Sequence, residues 1–210
     1  MLRYKIIPVT SFQQNCSLVW CDQTNDAVLV DPGGETDLLI NAVTENNLDL
    51  KSIWLTHGHL DHIGASAELQ KKYNLPIIGP HKEDEFLIEA IPQQIQMFGF
   101  SFVENFKPTK WLSEGDKLHL GHEEFSIIFS PGHTPGHIII KHEKQKLLWV
   151  GDVIFKNAVG RTDFPGGNHQ QLLSSIKNKL LVLSDDYRFI PGHGPESTLG
   201  DERHNNPFIV

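Results

Sequence analysis

The chain has 210 residues, of which 39% are hydrophobic and 21% charged, and its formal net charge is -8. This length supports one sizeable core and is short for two full domains, so we predict a single domain over residues 1–210. The acidic balance argues against a nucleic-acid enzyme, which usually presents a basic face, and we expect no nucleic-acid partner.

Neither the N-terminal segment nor the cysteines indicate export. The first ten residues lack an apolar segment followed by a small-residue cleavage site, and no apolar run approaches the length of a membrane span. Cys16 and Cys21 flank a short apolar run, and two such cysteines do not make a disulfide framework. We therefore expect a cytoplasmic protein without a membrane partner.

The first half of the chain predicts strands, followed by an alternation of helices and strands. Strands are predicted at 3–9, 18–20 and 27–30, the last of them ending in the turn sequence Asp-Pro-Gly-Gly. Thr36 is the predicted cap of a helix that continues to about Asn46. A short buried strand at 53–55 and a helix at 63–72 complete this half, in an order typical of α/β layers.

The second half repeats this organisation. Strands are predicted at 125–129, 138–141, 147–150 and 188–190, and a helix at 170–181. The less regular segment 81–106 has helical character at 83–90, and we interpret it as an excursion over one edge of the site. Two strand-rich halves with helices predict an α/β fold in which two sheets form a sandwich with helices outside.

Several of the twelve histidines fall in tight clusters, the densest being Thr56-His57-Gly58-His59-Leu60-Asp61-His62 at the end of a predicted strand. If the chain stays extended through His59, His57 and His59 point to the same side and can bind one ion. A helix that begins near Asp61 would turn Asp61 and His62 in another direction, which suits a second ion. Gly58 is interpreted as leaving space for the metal ions.

Three later strands each end in a ligand-type residue beside a glycine. Loops at strand ends are where such sheets assemble their sites, so we expect these residues to join the histidine cluster. The predicted metal ligands are His57, His59, Asp61, His62, His133, Asp152 and His193. His137 begins a strand, and we predict a structural role for it beside the site.

This set resembles the metallo-β-lactamase superfamily, whose His-x-His-x-Asp-His motif is followed by His, Asp and His at strand ends, and the resemblance covers nearly the whole chain. It implies an αββα sandwich of two mixed sheets with outer helices. It also implies one ion held by His57, His59 and His133, a second held by Asp61, His62 and His193, and Asp152 as the bridge between them. Asp31 matches a position that supports the site, although it could equally be a plain turn residue.

The charges of this ligand set indicate hydrolysis. Two divalent ions bring four positive charges, from which Asp61, Asp152 and a bridging hydroxide remove three. The remaining positive centre can polarise a carbonyl and stabilise a developing anion, so Asp61 and Asp152 are the predicted catalytic residues. Imidazole and carboxylate ligands favour zinc, and they also accept iron or manganese.

Two further stretches resemble the glyoxalase II-like branch, the hydroxyacylglutathione hydrolases and their single-domain bacterial relatives. They are the segment 160–167, Gly-Arg-Thr-Asp-Phe-Pro-Gly-Gly, and the ending at 197–208. The resemblance implies hydrolysis of a glutathione thioester, S-lactoylglutathione to lactate and glutathione, by a metal-bridging hydroxide. Such enzymes hold glutathione with a C-terminal helical domain, and we expect this domain to be absent because the sequence continues only briefly after His193.

Arg161 is the predicted substrate-binding residue, because arginine can bind a carboxylate through two hydrogen bonds. The alternative for Arg161 is an ion pair with Asp163. Phe98 and Phe100 could line the pocket or pack in the core.

Other reactions remain open at this point. A mononuclear-iron glutathione persulfide dioxygenase resembles this chain and would use residues matching His57, His133 and Asp152. A β-lactamase is disfavoured because Asp152 differs from the usual ligand there and because no export signal is present. A nuclease is disfavoured by acidity and small size, and a metal-stabilised binding module by the complete ligand set.

Overall fold

The computed structural model describes residues 1–100 and 102–209 of the chain. In the first half, three strands precede an alternation of helices and strands, and helical turns follow. The elements are β1 (Leu2–Val9), β2 (Gln14–Cys21), β3 (Asp26–Val30), α1 (Thr36–Glu45), β4 (Asp49–Trp54), α2 (Leu60–Ile63), α3 (Ser66–Tyr73), β5 (Ile77–Ile78), a 3-10 turn (Lys82–Asp84), α4 (Glu85–Glu89) and α5 (Ile91–Phe98).

The second half contains most of the second sheet and the helices that cover it. The elements are β6 (Lys117–Leu120), β7 (Glu123–Phe129), β8 (Ile138–His142), β9 (Leu147–Gly151), β10 (Ile154–Phe155), β11 (Ala158–Val159), α6 (His169–Ser175), a π-helical turn (Ile176–Leu180), β12 (Arg188–Pro191), β13 (Ser197–Thr198) and α7 (Leu199–Asn205).

Two mixed sheets form the centre of the fold. The first has the order β1-β2-β3-β4-β5, antiparallel up to β3 and parallel from β3 to β5. The second has the order β13-β12-β9-β8-β7-β6, in which only β12 and β9 run parallel. Because β4 and β9 have neighbours on both sides, the loops that follow them are held by strands that cannot shift independently.

Three apolar layers hold the sheets and helices together. The layer between the sheets contains Trp54 of β4 and Phe125 of β7, whose rings meet edge to face at 5.0 Å. A second layer joins the first sheet to α1 and α3, and a third joins the second sheet to α6, the π-helical turn and α7. The predicted αββα sandwich of two mixed sheets with outer helices is therefore confirmed. A single domain over residues 1–210 stays a prediction.

Burial along the strands reflects these layers. All five residues of β9 are buried, because this strand contacts the inter-sheet layer on one face and the outer helices on the other. In β1, at the edge of its sheet, buried and exposed positions mostly alternate. Among the residues that the structure describes, no helix combines the length and the apolar character needed to cross a membrane.

Some predicted element boundaries are wrong. The helix predicted at 63–72 is two helices, α2 and α3, separated near Gly64, where a Cβ would lie 2.3 Å from the carbonyl oxygen of Gly33. Thr36 does not cap α1, because its hydroxyl donates to Glu68 at 2.7 Å and the cap position is Glu35 in a left-handed conformation. The segment 81–106 is more helical than predicted, because Pro92 lies in the first turn of α5, where a missing N–H costs little.

Candidate metal centre

Four loops bring the predicted ligands together at one edge of the sandwich. They follow β4, β7, β9 and β12, so each sheet contributes. The predicted ligands form two groups whose ligand atoms lie within 4.8 Å of one another, and a third such group joins Asp31 to His57 and His62. The first group is His57, His59 and His133, and the second is Asp61, His62 and His193.

The first group is buried and compact. The Nδ1 atom of His59 lies 2.9 Å from the Nε2 atom of His133, which belongs to a loop of the other sheet. Two nitrogens bound to one zinc ion, each about 2.0–2.1 Å from it, can be at most about 4 Å apart, so these two atoms fit a single ion. The imidazole ring of His57 lies 4.9 Å, centroid to centroid, from each of these rings.

The second group is more open and includes a carboxylate. The Nε2 atom of His193 lies 3.1 Å from Asp61 Oδ2, and the Nε2 atom of His62 lies 3.7 Å from the same oxygen. His62 is fully buried, whereas the side chains of Asp61 and His193 are 21% and 28% exposed. This group therefore faces the solvent side of the centre.

Asp152 lies between the two groups. Its Oδ1 atom is 3.3 Å from His62 Nε2, and its Oδ2 atom is 3.7 Å from both His133 Nε2 and His193 Nε2. Gly192 allows this approach, because a Cβ there would lie 2.0 Å from Asp152 Oδ1. The carboxylate thus contacts ligands of both groups, as a bridging ligand must.

The donor atoms of this centre fit metal ions. Among the described residues, His57 Nε2, His62 Nε2 and Asp152 Oδ1 are buried without a hydrogen-bond partner, although buried polar atoms are normally paired. Unshared nitrogen and oxygen lone pairs that converge in this way are what a divalent cation would satisfy. Imidazole and carboxylate donors suit zinc, iron or manganese.

Asp31 orients two of the imidazoles. Its carboxylate accepts from the Thr56 N–H at 2.7 Å, from the Thr56 hydroxyl at 2.6 Å and from His62 Nδ1 at 2.9 Å. Since the Thr56 hydroxyl already donates to Asp31, it accepts from His57 Nδ1 at 3.1 Å. Both histidines therefore keep the Nε2 lone pair for the centre, and Asp31 supports the site.

Main-chain groups fix two further imidazoles. His133 Nδ1 donates to the Arg161 carbonyl at 2.7 Å, and His193 Nδ1 donates to the Phe12 carbonyl at 3.1 Å. His137, for which a structural role was predicted, accepts the Asp152 N–H at its Nε2 atom over 3.1 Å. It therefore holds the main chain of Asp152 from behind.

The two groups differ in the charge that their imidazoles favour. Burial lowers the pKa of His57 well below its ordinary value and that of His59 to about 3, and neighbouring imidazoles add to both shifts. Burial also lowers the pKa of His62, but the charges of Asp152 and Asp61 outweigh burial and hold it well above its ordinary value. Burial also lowers the pKa of His193, but its hydrogen bond to Asp61 and the charges of Asp152 and Asp61 together outweigh burial and raise it.

Two buried side chains that contact the ligand loops, Asp84 and Gln94, are not indicated by the sequence pattern. Asp84 accepts from the Gly58 N–H at 2.9 Å, and Gln94 donates to the Gly58 carbonyl at 3.2 Å. The interpretation of Gly58 is corrected accordingly, since a Cβ there would lie 2.9 Å from Leu87 Cβ. Gly58 lacks a side chain because the helical segment 81–98 packs against it. The polar residues of that segment do not by themselves indicate these contacts.

A pocket of about 480 Å³ opens onto the centre, and five phenylalanines line it, Phe155 of β10 among them. Phe12 stacks on Phe100 at 5.6 Å and meets Phe98 edge to face at 6.2 Å. Phe164 contacts both Phe98, at 5.6 Å, and His59, at 5.5 Å. Phe98 and Phe100 thus line the pocket, and Phe100 also packs against the core.

Two cationic side chains line the same pocket. Arg161 forms a two-bond ion pair with Asp163 at 2.7 and 2.8 Å, and its guanidinium lies 3.8 Å from the centroid of the Phe164 ring. Lys156 is exposed and has no carboxylate within 4.0 Å among the described residues. Both predicted roles of Arg161, binding a substrate carboxylate and pairing with Asp163, are compatible with this arrangement. The ion pair lies at the pocket, and the Arg161 side chain is 56% exposed.

Comparisons with known proteins agree with this geometry. The metallo-beta-lactamase superfamily model matches residues 9–193. The hydroxyacylglutathione hydrolase GloC of Haemophilus influenzae is 49% identical over 99% of this chain and 98% of its own length. Among solved structures, the BLEG-1 B3 metallo-beta-lactamase is 33% identical with a TM-score of 0.91 and covers 99% of this chain and 100% of that one. TTHA1623 in a di-iron-bound form is 35% identical with a TM-score of 0.89, and the match covers 97% of this chain and 99% of that one.

We predict that Asp152→Ala lowers metal content and turnover together. The carboxylate lies between the two groups, and without it two cations about 3.5–4 Å apart would repel each other unshielded. Loss of a supporting group costs about 10- to 100-fold, so loss of this ligand should cost at least 100-fold in turnover. Metal content is measured by elemental analysis, and the turnover rate is measured on the same sample. Asp37→Ala, at a side chain that is 89% exposed, is the control; a variant with full metal and a near-normal rate contradicts the bridging role.

We also predict that metal binding releases protons mainly from the second group. The raised pKa values favour the protonated forms of His62 and His193 in the metal-free protein, whereas the lowered values favour the neutral forms of His57 and His59. A cation must displace those protons, so its affinity for the second group should rise with pH. Calorimetric titration at pH 7 in buffers of different ionisation enthalpy measures the protons released. Equal release for the two ions would contradict the assignment.

Proposed function

This chain belongs to the metallo-β-lactamase superfamily, and we propose that it is a metal-dependent thioester hydrolase of the hydroxyacylglutathione hydrolase type. The proposed substrate is a glutathione thioester, and the proposed reaction converts S-lactoylglutathione and water to lactate and glutathione. The observation that carries the proposal is the position of Asp152, whose carboxylate oxygens contact ligands of both groups. The 49% identity to GloC over nearly the whole chain supports the choice of substrate.

The residues of the centre would hold two divalent cations, one on each group, with Asp61 and Asp152 as their carboxylate ligands. When bound, such ions polarise a carbonyl, lower the pKa of water and stabilise a developing oxyanion. Asp31, His137 and the main-chain carbonyls keep the donor atoms turned toward the centre. The chain itself thus provides preorganised ligands, and zinc is the metal we propose.

The pocket provides for the two parts of a thioester. Its volume lies within the usual range of small-molecule sites, about 300–1,000 Å³. The phenylalanine side chains exclude water from one wall, and the cations at Lys156 and Arg161 can attract the carboxylates of glutathione. We therefore propose that the acyl carbonyl lies over Asp152 and that the peptide part extends toward the cationic side.

We expect the purified protein to contain close to two metal ions per chain and to cleave S-lactoylglutathione without oxygen. Elemental analysis, a thioester assay under nitrogen and a β-lactam assay on the same preparation test this. One iron per chain, with oxygen consumed on glutathione persulfide and no thioester cleavage, would identify a dioxygenase instead. Cleavage of a β-lactam with no thioester cleavage would assign the chain the activity for which BLEG-1 is named.

We propose that Arg161 binds a substrate carboxylate in place of Asp163. Arg161→Ala should then lower kcat/KM for the glutathione thioester by about 1 kcal/mol, or roughly fivefold, since the guanidinium is 56% exposed and water screens it. Thioesters without a carboxylate should change little.

The matched variant Asp163→Asn leaves Arg161 without its competing partner, so KM for the glutathione thioester should fall. Kinetics on both substrates measure these effects. Equal losses on both substrates in Arg161→Ala would show that Arg161 is a structural residue.

A further inference from the structure

Asp84 joins the two loops that supply the first ligand group. Its Oδ2 atom accepts from the Gly58 N–H at 2.9 Å and from the Thr134 hydroxyl at 2.8 Å, and its Oδ1 atom accepts from the Gly136 N–H at 2.6 Å. Gly58 lies between His57 and His59 in the loop of the first sheet. Thr134 follows His133 in the loop of the second sheet. One carboxylate therefore joins two loops that are otherwise connected by the main-chain hydrogen bond from the Ile138 N–H to the Thr56 carbonyl at 2.9 Å.

The Asp84 side chain is enclosed by these loops. It is fully buried, and a Cβ at Gly136 would lie 2.7 Å from its Oδ1 atom. A buried carboxylate without partners would be costly, so its three hydrogen bonds hold it to a single geometry. Because both oxygens accept from main-chain and hydroxyl donors, Asp84 acts through the loops and is not itself a ligand.

Gln94 of α5 strengthens the same connection. Its side chain accepts from the Leu60 N–H at 2.9 Å and donates to the Gly58 carbonyl at 3.2 Å and to the Leu87 carbonyl at 2.9 Å. The segment 81–98 therefore holds the main chain on both sides of His59. This makes the helical segment part of the support of the metal centre.

We propose that Asp84 is a positioning residue for the ion bound by His57, His59 and His133, and that it sets the affinity of that ion selectively. The distance of 2.9 Å between His59 Nδ1 and His133 Nε2 is the geometry that the carboxylate maintains. The second group lies on the other side of Asp152 and has no hydrogen bond to Asp84 among the described residues. The proposal rests on the metal centre that underlies the proposed function, but not on the identity of the thioester.

The test is the variant Asp84→Asn, which keeps the shape of the side chain. Asparagine replaces one oxygen by an NH₂ group, and this donor must face the N–H or hydroxyl of one of the loops. The metal-free full-length protein is titrated with Zn²⁺ in competition with a chromophoric chelator, so that binding is measured without turnover. We expect the Kd of one of the two ions to rise by about 10- to 100-fold, the usual effect of a supporting residue, and that of the other to change less than twofold.

Two backgrounds identify the affected ion. His193→Ala disables the second group and leaves the first, whereas His133→Ala does the opposite. Asp84→Asn should weaken Zn²⁺ binding in the His193→Ala background and leave it unchanged in the His133→Ala background. The reverse pattern, equal weakening in both backgrounds, or wild-type affinity for both ions would overturn the proposal.

Two further variants complete the design. Glu83→Gln changes the neighbouring, exposed carboxylate of the same turn and should leave both affinities unchanged. Thr134→Val removes one of the three donors with little change in shape and should weaken the same ion by a smaller factor. If Asp84→Asn does not fold, Thr134→Val carries the test, and wild-type affinity in that variant would overturn the proposal. If the wild-type protein does not cleave the thioester but Asp84→Asn selectively loses affinity for one ion, the proposed substrate is wrong and the role of Asp84 stands.

Discussion

The burial of imidazoles and carboxylates at the junction of two sheets is the constraint on which the rest of this structure depends. Desolvation disfavours charge on His57 and His59, while Asp61 and Asp152 favour charge on His62 and His193. A centre of this kind is stable only if its polar atoms are paired or bind a cation. Hydrogen bonds supply the first condition on the outer side of four of the rings, those of His57, His62, His133 and His193, and a divalent cation would supply the second on the inner side.

The support of the centre is distributed over the whole fold. Asp31 at the end of β3 orients His57 and His62, His137 before β8 holds the Asp152 main chain, and Asp84 connects the ligand loops of the two sheets. The strands that carry the ligands are themselves fixed by the apolar layer between the sheets. Packing therefore determines the positions of the loops, and hydrogen bonds then determine the direction of each donor atom.

The pocket has a different origin from the metal centre. The ligands follow strands of both sheets, whereas the aromatic wall comes from the β1–β2 turn, the end of α5 and the loop after β11. These segments carry no metal ligands but support the centre through the Phe12 and Arg161 carbonyls and the Gln94 side chain, so their aromatic side chains can vary while those contacts are kept. A common metal centre with a variable wall is consistent with relatives that bear the names of a glutathione thioester hydrolase and of a β-lactamase.

By itself, the sequence determined the sandwich, and it predicted the residues that the structure brings together in the two groups of the candidate metal centre. The histidine motif and the later His, Asp and His follow apolar strands directly, and a residue that ends a buried strand has few alternative positions. The sequence left Asp31 and Arg161 open, because a carboxylate in a turn and an arginine near an aspartate have ordinary explanations. It missed Asp84, Gln94 and the contact of Phe12 with Phe98 and Phe100. Only the tertiary structure decided the contacts of Asp31, Asp84, Gln94 and Phe12, because each depends on hydrogen bonds or ring contacts between segments far apart in the chain.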